Sequence, residues 1–296
     1  MAINILEGGD AVVEEAVGDG TRATALARRM VGLLAGVGRV LLDAALPPLC
    51  GLCRAPVDRP GLCGACWSGL VFVTGPVCER CGVPLPSDPG GPAVCGGCAA
   101  KPPAFAMARA PLIYEGTSKR LVLALKHGDA GHLAPMLGRL MAPSARGLGA
   151  VDLVVPVPLH WRRRLKRRDN QAAVLARALA GELGLAHEPR LLRRARFTTS
   201  QGNKGREARA RNVAGAMRVP TGRALRARLA GARVLLVDDV LTTGATADAC
   251  SRALIRAGAA GVVVIAAARV PAPGDGIRHM VDPATLSAEG EASERL

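Results

Sequence analysis

Eight of the nine cysteines in this chain fall into four Cys-x-x-Cys pairs: Cys50/Cys53, Cys63/Cys66, Cys78/Cys81 and Cys95/Cys98. No other feature restricts the fold as strongly. Each pair places two thiolates on one tight turn, and tetrahedral zinc takes four sulfurs at one centre, so the set suits two zinc ions. The short spacers between pairs fit two zinc ribbons in sequence, and Gly51, Gly64, Gly82 and Gly96 sit where the chain must turn around metal. Four sulfurs leave no open position for water, so both ions are expected to be structural. The competing pattern is four disulfides in a secreted module. Nothing marks the chain for export, which favours reduced thiols and a cytoplasmic location. Four pairs so close together also read as a framework rather than a redox dithiol. Spacing alone leaves open whether neighbouring or alternate pairs share a metal. Cys250 stands apart, in an apolar helical pattern where a buried small residue is its expected role.

The cysteines lie within a chain of 296 residues, enough for about two domains. Residues 1–20 are glycine-rich and acidic and are expected to be disordered. Residues 21–46 form an amphipathic helical pattern, with Leu26, Met30, Leu33, Leu34, Val37, Val40 and Leu41 on one face. Pro47-Pro48 ends it, and the cysteine segment occupies 47–103. Lys101-Pro102-Pro103 marks the next boundary, and 104–269 alternates strands with helices. The apolar runs Val151–Val155, Val234–Val237 and Val262–Ala266 suit strands buried on both faces, and Arg109–Tyr114 is a weaker strand. Helical patterns cover Thr117–Leu140, with a break expected near Gly128, Asn170–Leu183 and Thr246–Ala257. Strands alternating with helices predict an α/β fold, a parallel sheet with helices on both faces. Residues 270–296 are expected to be a disordered tail. No uninterrupted apolar run is long enough for a membrane span.

The segment Arg233–Thr246 carries the strongest chemistry. A buried strand runs into Asp238 and Asp239, then into Thr242, Thr243, Gly244, Ala245 and Thr246, then into a helix. A helix N-terminus offers unpaired N–H groups and a positive dipole end, glycine lets the backbone close around phosphate, and threonine hydroxyls add donors. Two carboxylates at the carboxyl end of a strand suit the vicinal hydroxyls of a ribose, or a magnesium ion. An ordinary strand-to-helix turn needs one capping residue, so this run exceeds its needs. It is not a Walker A loop, because no Gly-Lys-Ser/Thr follows.

Charge is concentrated near that segment. The formal net charge is +15, yet between His160 and Arg233 there are 20 Arg and Lys against four acids. A local excess of this kind points to an anionic ligand at a site. Aromatic residues make up 2% of the chain, too few for a protein built to stack many bases, although Trp161 and Phe197 lie among the cations.

These residues together resemble the type I phosphoribosyltransferases, whose signature for 5-phosphoribosyl-1-diphosphate is a strand, two acids and Thr-Thr-Gly-x-Thr. Within that group the chain is similar to the ComF family of late competence proteins, which joins zinc ribbons to this fold. Tyr114-Glu115-Gly116 with Lys126 resembles the family's first strand and helix. Val155-Pro156-Val157-Pro158-Leu159-His160, then Arg164, Leu165, Arg167, Asn170 and Gln171, resembles its diphosphate-contacting segment. Thr198, Gln201, Arg209, Asn212 and Val213 resemble its hood loop. The family's Arg-Gly-Phe-Asn-Gln reads Arg167-Arg168-Asp169-Asn170-Gln171 here, and Lys204-Gly205 stands where Leu-Ser is usual.

The resemblance implies catalytic acids at Asp238 and Asp239, a 5′-phosphate loop at Thr242–Thr246 and diphosphate contacts from Arg164 and Arg167. It implies magnesium bound with the ligand, and a role in natural transformation, handling single-stranded DNA beside other DNA-uptake proteins. Two other readings share these residues: an active transferase moving phosphoribosyl to a nitrogen nucleophile, and a phosphoribosyl-diphosphate sensor without chemistry. The cysteine framework makes the first test simple. Metal analysis of the purified chain is expected to return two zinc ions per molecule, and fewer than one would overturn the ribbon assignment.

Overall fold

The computed structural model describes residues 48–127, 130–159, 170–195 and 215–271. The N-terminal helical pattern, the segment holding Arg164 and Arg167, the stretch Thr198–Val213 and most of the tail lie outside the described residues. The chain divides into two compact units at Pro48, and the second, from Leu49 onward, is the one described below.

Two cysteine knuckles come first, and they repeat one another. In each, an antiparallel bridge flanks the leading pair, Leu49 with Pro56 and Val77 with Pro84. A one-turn helix carries the trailing pair, α1 at Gly64–Ser68 and α2 at Gly96–Ala100. Corresponding backbone bonds recur, Arg54 N–H to Cys50 O at 3.0 Å and Gly82 N–H to Cys78 O at 2.9 Å.

The sheet follows. Strands β1 (Met107–Arg109) and β2 (Leu112–Ile113) lead into helix α3 (Gly116–His127), a short 3-10 turn (Ala130–Leu133) and α4 (Ala134–Arg146). Next come β3 (Leu153–Pro156), α5 (Gln171–Leu183) and β4 (Ala186–His187). A small antiparallel ribbon joins β5 (Arg193–Arg194) to β6 (Met217–Arg218). Helix α6 (Arg223–Leu229), β7 (Arg233–Leu241), α7 (Ala245–Arg256) and β8 (Gly261–Arg269) complete the fold. The main sheet is parallel in the order β1-β8-β7-β3-β4, with β2 also pairing β8. Helix α5 starts after Asn170 in extended conformation and stops at Gly184, whose φ of 67° is the left-handed cap that glycine adopts without strain.

Side chains alternate between two cores, as a strand buried on both faces requires. Val234 and Leu236 of β7 join α7 on one face, and Leu235 and Val237 join α4 and α5 on the other. The second knuckle belongs to the first of these cores, since Cys78, Cys81, Val83 and Cys98 pack with Phe105, Val155 and Leu236. The first knuckle packs elsewhere: a Cβ on Gly51 would lie 2.5 Å from the Leu133 side chain. Behind it, the Val71 N–H donates to the buried Ser118 hydroxyl at 2.9 Å.

The element boundaries refine the sequence reading. The expected strand Arg109–Tyr114 is two short strands. The Thr117–Leu140 helical pattern is two helices, α3 ending at His127 and α4 starting at Ala134, in keeping with the break expected near Gly128. Strand β7 does not stop at Val237 but continues through both acids to Leu241, because the small residues Ala266 and Ala268 of β8 keep pairing with Asp238 and Val240. That ladder outweighs the poor strand propensity of aspartate.

The knuckle repeat exposes one local strain. Arg54 holds φ at 64°, the value Gly82 holds at the matching place in the second knuckle, and no other non-glycine described residue has positive φ. Arg54→Gly is expected to raise stability by about 1 kcal/mol. Gly82→Ala should lower it by about 2–5 kcal/mol, since its Cβ would meet Ala108 O at 2.4 Å. Urea unfolding of the zinc-loaded protein reads both, and a lowered midpoint for Arg54→Gly would contradict the strain.

Candidate functional site

The topology itself marks a place for a ligand. From β3 the chain crosses through α5 to β4 on one side, and from β7 it crosses through α7 to β8 on the other. The two crossovers diverge between β3 and β7, where Pro156 pairs with Val237. Ligands of open α/β sheets bind at such a switch point, outside the carboxyl ends of the strands. What leaves those two ends is the Pro156–Leu159 segment and the run from Asp238 to Thr246.

Asp238 and Asp239 sit half-buried near the end of β7. Each carboxylate steadies the chain beside it: the Asp239 N–H donates to Asp238 Oδ1 at 2.9 Å, and the Val240 N–H donates to Asp239 Oδ1 at 2.7 Å. Because adjacent strand residues face opposite ways, Asp238 follows Leu236 on one face and Asp239 follows Val237 on the other.

Beyond them Thr242 is exposed, Thr243, Ala245 and Thr246 are half-buried, and Gly244 is buried. Gly244 is the N-cap of α7, with φ 76° and no side-chain cap for the helix. The first N–H groups of a helix have no carbonyl of their own helix to bond, which makes such a start suited to an anion. The Ala245 N–H reaches back to Thr243 Oγ1 at 3.4 Å.

Two residues that sequence reasoning passed over support this loop. The Phe105 ring is 2% exposed and would lie 3.6 Å from a Cβ on Gly244. Asp248, in the first turn of α7, accepts the Ala104 N–H at 2.6 Å and the Arg252 Nε–H at 3.0 Å. Together they fasten the segment after the knuckles to the Thr242–Thr246 loop. The signal for Phe105 was its rarity, one of three phenylalanines in the chain. Asp248 carried no signal, because an acid in a first helical turn is commonplace.

Arg164 and Arg167, the expected diphosphate contacts, lie with His160 and Trp161 outside the described residues. The described flank of that segment is Pro158 and Asn170, whose side-chain amide donates to Val157 O at 3.1 Å. They border a cleft whose other lining includes Arg190, Arg193, Arg194 and Arg218, and no acid lines it among the described residues.

The cysteines form two clusters, each drawn from neighbouring pairs: Cys50, Cys53, Cys63 and Cys66, then Cys78, Cys81, Cys95 and Cys98. This decides the pairing that spacing left open. Within each cluster the sulfurs lie within 4.8 Å of one another. A zinc–sulfur distance of about 2.3 Å asks for sulfurs roughly this close, so the donor set fits zinc. Disulfides are not formed: Cys53 and Cys63 sulfurs are 3.5 Å apart, and those of Cys81 and Cys95 are 3.7 Å apart. Burial opposes ionisation of Cys50, but the backbone N–H groups of Cys53, Cys63 and Leu52 outweigh it and bring that thiol down to about 6. Cys78 likewise falls to about 7 despite its burial, under the N–H groups of Cys81, Cys95 and Arg80. Both leading cysteines are thus prepared as thiolates, the form that binds metal. Cys250 is fully buried, and burial pushes its thiol well above the ordinary range, as suits a packing residue.

Among the described residues no helix is long and apolar enough to cross a membrane. A family model described as a double zinc ribbon domain matches residues 41–99. The protein named DNA utilization protein YhgH from Salmonella typhimurium is 34% identical over 229 residues, covering 74% of this chain and 96% of that one. YhgH of Escherichia coli strain K12 is 31% identical over 227 residues, with the same coverage. Competence protein F of Haemophilus influenzae is 26% identical over 219 residues, covering 72% of this chain and 92% of that protein. Among solved structures, the chain is similar to glutamine phosphoribosylpyrophosphate amidotransferase from B. subtilis, with a TM-score of 0.30 and 22% identity over 45% of this chain. It spans only 25% of that enzyme's length. Identity above 30% along nearly the full length of the YhgH proteins, with a double zinc ribbon ahead of a parallel α/β sheet, shows that the chain belongs to the ComF family.

Proposed function

We propose that this chain binds phosphoribosyl diphosphate, together with magnesium, at the carboxyl ends of β3 and β7. We further propose that it serves natural transformation by handling single-stranded DNA in the cytoplasm beside other DNA-uptake proteins. The observation that carries the first part is the run from Asp238 to Thr246, two acids followed by an uncapped helix start, placed at the switch point of the sheet.

The roles follow from charge and geometry. The 5′-phosphate lies on the α7 N-terminus, held by Thr242, Thr243, Gly244, Ala245 and Thr246 through N–H and hydroxyl donors. Asp238 and Asp239 hold the ribose hydroxyls, and Arg164 and Arg167 answer the diphosphate. Magnesium, when bound with the ligand, supplies neutralisation of diphosphate charge, and carboxylate oxygens are the hard ligands it takes. The same elements would support displacement of diphosphate from the anomeric carbon. Among the described residues none identifies an acceptor base, so ligand binding is the reading favoured.

The DNA part rests on the names of the relatives, DNA utilization protein and Competence protein F, and on the basic cleft. Arg193 of β5 stands directly opposite Arg218 of β6. Like charges facing across a ribbon weaken it, and a polyanion lying over both removes that cost.

Isothermal titration with phosphoribosyl diphosphate and magnesium is expected to show binding by the wild type and a loss of about 10- to 100-fold in Asp238→Asn/Asp239→Asn. No heat from the wild type would overturn the ligand assignment. Single-stranded DNA affinity is expected to fall with salt, with a slope shallower by about 0.7 for each phosphate contact removed, as in Arg193→Ala and Arg218→Ala. An affinity indifferent to salt would contradict the DNA reading.

A further inference from the structure

The last residue of β8 is an arginine placed where an arginine is costly. Arg269 is 5% exposed, and its backbone is fixed on both sides, in register with Ile113 of β2 and Leu241 of β7. The Tyr114 N–H also donates to its carbonyl at 2.8 Å. Its side chain points at the second cysteine cluster, where Nη2 donates to Cys81 Sγ at 3.5 Å. Nε and Nη1 are buried with no hydrogen-bond partner, and no carboxylate pairs with Arg269 among the described residues.

A buried guanidinium lacking a carboxylate is stable only beside another source of negative charge. Four thiolates around one divalent zinc carry such an excess. The second cluster is also the better enclosed: Cys78, Cys81 and Cys98 are buried and Cys95 is half-buried. In the first cluster Cys53 is exposed, Cys63 is half-exposed, and among the described residues the nitrogen donors to its sulfurs are backbone N–H groups, those of Leu52, Cys53, Cys63 and Cys66. A second arginine braces the same knuckle from β1, since Arg109 Nη1 donates to Glu79 O at 2.9 Å and its Nη2 pairs with the Glu79 carboxylate.

We propose that Arg269 is the buried counter-ion of the second zinc centre, and that this charge contact makes the second ion the retained one of the two. The contact spans 188 residues of sequence. It ties the metal to the end of β8, and through the Leu241 pairing to the strand end that opens into the phosphate loop. Arg269 is a positioning residue here: it orients and neutralises the thiolate cluster and need not touch a substrate. The first centre, where among the described residues no cationic side chain bonds a sulfur, is the labile one.

The test uses the full-length zinc-loaded protein and a chromogenic chelator that reads zinc as it leaves. The wild type is expected to release its zinc in a fast and a slow phase. In Arg269→Met, which keeps bulk and loses charge, the slow phase should accelerate about 10- to 100-fold, with the fast phase unchanged. In Arg269→Lys the slow phase should remain close to that of the wild type. In cobalt-substituted protein, the thiolate-to-metal charge-transfer band should shift in Arg269→Met and return toward the wild-type position in Arg269→Lys, which a loss of packing alone would not produce. An unchanged slow phase in Arg269→Met, equal acceleration of both phases, or a Lys variant as labile as the Met variant would each overturn the proposal. Should Arg269→Met fail to fold, Arg269→Lys decides: a retained slow phase supports the counter-ion, and its loss overturns it.

Discussion

The β7–β8 ladder is the constraint on which the rest depends. The two strands pair in parallel from Arg233 with Gly261 to Leu241 with Arg269, buried on both faces over most of that length. Because side chains alternate along a strand, a slip of one residue would move Asp238 to the opposite face and exchange the inward residues of the two cores. One register therefore fixes three things at the same end of the sheet: the acids, the threonine-glycine loop that follows Leu241, and the guanidinium of Arg269. Burial of the apolar residues Val234–Val237 and Val262–Ala268 makes that register costly to lose.

The metal centres solve a different problem. A segment of cysteine knuckles has too few apolar side chains to form a core of its own, and metal substitutes for the missing burial. The two knuckles share a backbone plan but have different dependencies. The second is part of the sheet's core: Gly82 lies against the carbonyl of Ala108, and Cys78, Cys81 and Cys98 pack with Phe105. The first rests on the Leu133 side chain through Gly51 and tolerates a strained Arg54 at its turn. Loss of the second ion would thus disturb the core that the second knuckle shares with Phe105, Val155 and Leu236, whereas loss of the first would stay local.

The parts of this design visible in the sequence are those written in local pattern. The eight cysteines, the β-branched runs and the acid-threonine-glycine run each announce their structure within a few residues. The knuckle repeat was equally legible, since Leu49-Cys50 through Pro56 runs parallel to Val77-Cys78 through Pro84, and that comparison exposes Arg54 where the second copy has glycine. Strand β7 was underestimated because aspartates are poor strand residues, and what extends the strand is its partner, which local pattern does not show. Arg269 was unreadable for a stronger reason. In a chain rich in arginine it stands beside a polar tail, and only a fold that brings it against Cys81, far back in the sequence, turns it into a buried charge.

The central claim is that the Asp238–Thr246 run at the β3–β7 switch point is a phosphate-ligand site. Amide hydrogen exchange, residue by residue, with and without phosphoribosyl diphosphate and magnesium tests it most directly. The expected result is slowed exchange at the amides of Thr243, Gly244, Ala245 and Thr246 on adding ligand, with β8 and α5 unchanged. Exchange at those four amides that stays the same at saturating ligand would contradict the claim.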